Sequence, residues 1–153
     1  MSAEEKLIEL GIELPQPSTP VGSYVPAVRT GNLLFLSGAG PIDNDGNVTR
    51  GKLGADMSVE EGQAAARLVG IQLLGTIRRE LGNLDRVARI VKVFGMVNAA
   101  PDFGQPPQVI NGASDLFIEI FGENGRHARS AVGMATLPVG IAVEIEMIVE
   151  VAD

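Results

Sequence analysis

The stretch from Ala128 to Val151 constrains this chain's fold more tightly than any other. It sets Arg129 inside the apolar run Ala128-Arg129-Ser130-Ala131-Val132 and turns at Leu137-Pro138. It then alternates Val143, Ile145, Met147, Val149 and Val151 with Glu144, Glu146 and Glu150. Such alternation puts the apolar set on one face of a strand and the carboxylates on the other. The stretch reads as a closing hairpin whose odd positions pack on helices. A guanidinium and carboxylates in strands this apolar must be paired, hydrated or used, because an unpaired buried charge costs several kcal/mol or more.

Upstream, the β-favouring runs Tyr24–Val28 and Leu33–Ser37 flank Thr30-Gly31-Asn32, which predicts a hairpin. The second run is apolar on both faces and is expected to be covered on both. Ser58 and Glu61 form a capping box, and Leu68, Ile71, Leu74 and Ile77 carry a helix to Leu81. Val87 to Asn98 predicts a long strand, and Pro106-Pro107 opens a second helix that ends near Phe121. The order β-β-(short β)-α-β-α-β-β gives an α+β domain, a sheet packed against two helices. Two helices are too few to cover both faces of so apolar a sheet, so the uncovered side is expected to meet other subunits. Residues 1–20, a short helix followed by Pro15, Pro17 and Pro20, read as an N-terminal arm on a single domain spanning 21–153.

Composition removes several function classes. A net charge of −7 argues against binding nucleic acid by neutralising phosphates, a mode that draws on excess Lys and Arg. With no cysteine and one histidine, thiol catalysis and the common zinc sites are excluded, and no metal is expected. The acidic start lacks the order of a signal peptide, and no apolar run approaches the ~20 residues of a membrane helix. A cytoplasmic protein with no membrane partner is the expectation.

Arg129 is the leading functional candidate. Ala131 and Gly133 follow it on the same strand face, leaving room for a planar anion that fits the guanidinium fork. An internal or inter-subunit salt bridge to one of the glutamates fits the spacing equally well. Tyr24, the only tyrosine, follows a Gly22-Ser23 turn. Ser37 ends an apolar strand, and Gly38-Ala39-Gly40 lets backbone amides approach a neighbour or ligand. Asn111 lies early in the second helix, and His127 reads as a rim residue.

In combination these pieces resemble the RidA, or YjgF, family of reactive-imine deaminases. The resemblance rests on Val21-Gly22-Ser23-Tyr24-Val25, Gly31-Asn32-Leu33-Leu34-Phe35-Leu36-Ser37-Gly38, Asn111, and Arg129-Ser130-Ala131-Val132 leading through Leu137-Pro138 to Glu144-Ile145-Glu146. It covers roughly residues 18–152. It implies a chorismate-mutase-like fold, a homotrimer assembled through its sheets, and clefts between subunits that take small carboxylates. In those clefts Arg129 would hold the substrate carboxylate, Tyr24, Ser37, Gly38, Asn111 and Ala131 would line the wall, and Glu144 would handle water. The implied reaction is hydrolysis of 2-aminoacrylate-like enamines and imines to 2-oxo acids and ammonia, with no cofactor. A non-catalytic trimer that senses small carboxylates is the alternative. Ala131 stands where the family often carries cysteine, and the arm and the 99–108 loop look longer than in compact members.

Overall fold

Two capping boxes set where the first helices begin. In α1 (Ala3–Leu10) the Glu5 amide donates to Ser2 Oγ at 3.1 Å and the Ser2 amide donates back to Glu5 at 2.8 Å. α2 (Val59–Leu81) opens the same way at Ser58 and Glu61, as its sequence predicts. α3 (Pro106–Phe121) starts on proline, which needs no amide partner there. The structure, a computed structural model, describes residues 1–16, 20 and 22–153. Pro17 of the expected lead-in and Val21 of the N-terminal motif lie outside the described residues.

Five strands, β1 (Ala27–Thr30), β2 (Leu33–Ala39), β3 (Val87–Asn98), β4 (Ala128–Met134) and β5 (Val143–Val151), form one mixed sheet in the order β1-β2-β5-β3-β4. Thr30 faces Leu33 across Gly31-Asn32, so the expected hairpin forms, with Gly31 at φ 57°. Its first strand begins at Ala27 rather than Tyr24, which leaves the tyrosine ahead of the sheet. β3 and β4 run parallel; all other neighbours are antiparallel. The α+β class, the long helix and the long strand agree with the sequence reading.

The expected closing hairpin does not form, because β3 lies between β4 and β5. The link from Met134 to Val143 wraps around the end of β3. Ala99 donates its amide to the Met134 carbonyl at 3.1 Å, and Asn98 donates its amide to Ala142 at 2.9 Å and its Nδ2 to Ile141 at 3.2 Å. A strand of 12 residues with buried positions along its length has backbone groups to satisfy on both edges, and β4 and β5 each take one. The turn holds Val139 at φ 49°, strained for a β-branched residue, with Arg50 Nε donating to its carbonyl at 2.9 Å.

One sheet face packs on α2 and α3, and the odd positions of β5 are buried there as predicted. α1 joins this core through Leu7, while its Glu4 pairs with Arg78 and accepts the Leu84 amide at 2.8 Å. The two long helices touch at Gly112, where a Cβ would overlap the Gln63 carbonyl. Gly112→Ala is therefore expected to push the helices apart and destabilise the fold by about 1–3 kcal/mol. A urea midpoint equal to wild type would contradict so tight a helix crossing.

The other sheet face is open. Val28 is 55% exposed, Phe35 41% and Val132 37%, with Phe94, Met96 and Ile148 partly covered between them. Cover for β2 on both faces is thus not provided within one chain: Leu34 and Leu36 are buried while Phe35 is exposed.

Candidate functional site

The predicted residues fall into two groups at separate places. The first is built where α3 meets β4. Arg129 shares the helix-facing row with Val93 and Met147, and at the sheet edge its side chain reaches α3. Its Nη1 donates to Asn111 Oδ1 at 2.8 Å and to Ser114 Oγ at 3.1 Å. Asn111 and Ser114 are three apart on the helix, so both present toward the strand. Arg29, Arg67, Arg78, Arg79, Arg86 and Arg126 each pair with a carboxylate. Among the described residues no carboxylate pairs with Arg129. The internal salt bridge that spacing left open is not made within the chain, and the rest of the guanidinium faces an open cleft of about 200 Å³.

His127 and Ser114 extend this group; the sequence reading gave His127 only a place at the rim and did not single out Ser114. His127 is half-buried rather than a rim residue: its Nδ1 lies 2.7 Å from the Gly125 carbonyl and its Nε2 2.9 Å from Ser114 Oγ. A carbonyl accepts only, so Nδ1 carries the proton and the Ser114 hydroxyl donates to Nε2. The ring stands edge-on to Phe117 at 6.0 Å. Burial lowers its pKa, the Gly125 carbonyl opposes that, and the Arg129 charge lowers it further, a direction that favours the neutral imidazole. The signals present in the sequence were the shared strand parity of His127 and Arg129 and the helical spacing of Asn111 and Ser114.

The second group lies where β2 and β5 meet. Ser37 donates its hydroxyl to the Val25 carbonyl at 2.6 Å, and Glu144 packs its carboxylate against Gly38, where a Cβ would overlap Oε2. Burial is the larger cause that raises the Glu144 pKa, and the like charge of Glu146 adds to it. A cavity of about 350 Å³ has Tyr24, Ser37 and Gly38 in its wall; Glu144 touches Gly38 but is not among the residues that line it. Ala131 belongs to neither cleft; it pairs with Gly95 on the helix-facing side.

One chain does not bring the groups together. β3 separates β4 from β5, so Arg129 and Glu144 are about 10 Å apart across the sheet; Glu144 aligns with Val132, about 10 Å further along, and on the opposite face. No small carboxylate spans that distance. Among the described residues no group of three or more His, Asp or Glu side chains is placed to hold a metal ion, and no helix is long and apolar enough to cross a membrane.

A family model described as "YjgF/chorismate_mutase-like, putative endoribonuclease" matches residues 4–151, nearly the whole chain. The chain belongs to the YjgF/RidA family. It is 48% identical over 145 residues to Protein TCP17 of Trypanosoma cruzi, covering 94% of this chain and 91% of that protein. Among solved structures it is similar to Atu1372 of Agrobacterium tumefaciens, described as of unknown function, with a TM-score of 0.89, 41% identity, and coverage of 99% of this chain and 92% of that one. It also resembles a Shewanella oneidensis protein described as "a putative endoribonuclease", with a TM-score of 0.95, 33% identity, and coverage of 99% and 100%. The YjgF/RidA match starts at residue 4, so all of α1 except Ala3 lies within the matched span.

Proposed function

We propose that this protein hydrolyses 2-aminoacrylate-like enamines and imines to 2-oxo acids and ammonia, with Arg129 holding the substrate carboxylate. Membership of the YjgF/RidA family supports a deaminase or related small-molecule function. The observation that carries the reading is Arg129 itself, a half-buried guanidinium fixed by two neutral acceptors and matched to no protein carboxylate. Such a group is an anion site awaiting its anion.

Arg129 and Glu144 cannot act on one substrate within a chain, so a second copy is proposed to supply the missing half. The exposed Val28, Phe35 and Val132 give an apolar surface through which copies can pack, in keeping with a trimer joined through its sheets. In the completed cleft the enamine tautomerises to the imine, and the carboxylate sits on Arg129. Glu144 takes a proton from water as its oxygen attacks C2. That proton passes to the imine nitrogen to give a carbinolamine; Glu144 then takes the hydroxyl proton and returns it to the amine nitrogen as the C–N bond breaks, C2 becomes a carbonyl and ammonia leaves. Burial near the reacting carbon brings the Glu144 pKa closer to the working pH, which suits a group that both takes and returns a proton. RNA cleavage fits less well, with 12 Lys and Arg against 19 Asp and Glu.

Generating 2-aminoacrylate with a pyridoxal-phosphate enzyme and following its decay tests the reading. Decay faster than buffer supports it; decay at the buffer rate with pyruvate still binding supports the sensing trimer instead. Gly38→Ala adds a finer check. The new methyl group must displace the Glu144 carboxylate, the flexible end of a side chain, so turnover is expected to fall about 10²-fold with little change in melting temperature. Unchanged turnover would remove Glu144 from the chemistry.

A further inference from the structure

We infer that His127 is a positioning residue for substrate carboxylates, acting through the Ser114 hydroxyl to fix the guanidinium of Arg129. This inference rests on the carboxylate role proposed for Arg129. A continuous line of hydrogen bonds carries it. The Gly125 carbonyl accepts from Nδ1, which leaves Nε2 as an acceptor; Nε2 takes the Ser114 proton; and the Ser114 oxygen then presents its lone pairs to Arg129 Nη1. Asn111 Oδ1 holds the same Nη1 from three residues earlier on the helix. A long side chain on an edge strand is thereby restricted to one geometry before a ligand arrives, which removes an ordering cost from binding. Nε and Nη2 remain for the carboxylate.

The arrangement is more than packing. A ring against Phe117 satisfies burial without any acceptor, yet both ring nitrogens are engaged, and the Nε2 partner is a side chain that itself touches Arg129. The charged groups around the imidazole are Asp115 of α3, Arg126 with its partner Glu123, and Arg129 of β4. Lys92 of β3 pairs with Ala128 and lines the opposite face of the sheet. None of them bonds to the ring, so the Ser114 link is the only side-chain hydrogen bond His127 makes among the described residues.

The test measures pyruvate affinity and the separate KM and kcat for 2-iminopropanoate in the full-length protein. His127→Phe keeps the ring volume but removes the acceptor; it is expected to weaken pyruvate about tenfold and to raise KM more than it lowers kcat. His127→Gln restores an acceptor near the Nε2 position and is expected to recover most of the affinity. Ser114→Ala breaks the line with a smaller change and should match His127→Phe, with no further loss in the double variant. Because His127 is the only histidine, its ring resonance is unambiguous, and its titration midpoint is expected to rise with saturating pyruvate as the carboxylate offsets the Arg129 charge. Wild-type affinity in both His127→Phe and Ser114→Ala, or additive losses in the double variant, would overturn the inference. If Arg129→Ala binds pyruvate like wild type, the underlying reading fails; if it loses binding while the His127 and Ser114 variants do not, only this inference does.

Discussion

Arg129→Ala is expected to lower kcat/KM for 2-iminopropanoate by about 10²-fold or more, and to weaken pyruvate to a similar degree, because a desolvated charge pair with one partner removed costs roughly 2–5 kcal/mol. No neighbour replaces it. Arg126 lines the same cleft, but its Nε donates to Glu123 at 3.2 Å. Arg129→Lys should recover little, since an ammonium cannot hold Asn111 and Ser114 while presenting a planar fork to a carboxylate. Calorimetry with pyruvate and the imine decay assay read both effects. Folding should survive the change, as the side chain sits at a sheet edge outside the apolar core.

The second large effect belongs to Glu144. Glu144→Gln is expected to cut kcat by about 10²–10⁴-fold, the usual contribution of a positioned acid or base, while pyruvate binding stays near wild type. The pH dependence follows from the direction of its pKa. Burial first, and the Glu146 charge second, raise the carboxyl above the ordinary glutamate range. A base must be ionised to act, so kcat/KM should climb with pH along a limb that lies above that range. Glu146→Gln removes the like charge and should move the limb down, though not fully, because burial remains. Stability runs the other way. A carboxyl whose folded pKa is raised binds more protons folded than unfolded, so its contribution is present below the unfolded value and is lost as pH rises through the folded one. Glu144→Gln should therefore leave the neutral-pH melting temperature equal or higher while abolishing turnover, a combination that a merely structural glutamate would not produce.

Local features of this fold were legible, and non-local ones were not. The Ser58 capping box, the apolar spacing to Leu81 and the parity of β5 depend on residues a few positions apart, and each appears where the pattern puts it. The insertion of β3 between β4 and β5 is a pairing across dozens of residues, and nothing in Leu137-Pro138 distinguishes a hairpin turn from a link around another strand's end. The site shows the same division. Strand parity placed Arg129 beside small neighbours, and order along the chain brought in Asn111. The link from His127 through Ser114 to Arg129 was not legible, since it depends on the register of α3 against β4. The separation of Arg129 from Glu144 also required the sheet order.

The sharpest test is a mixed assembly of Arg129→Ala and Glu144→Gln chains, each inactive alone, produced together in equal amounts. If each cleft takes Arg129 from one copy and Glu144 from another, random mixing restores about a quarter of the clefts in a cyclic assembly, and imine decay should recover to about that fraction of wild type. Decay that stays at the level of either parent, in an assembly shown to contain both chains, would contradict a site shared between copies.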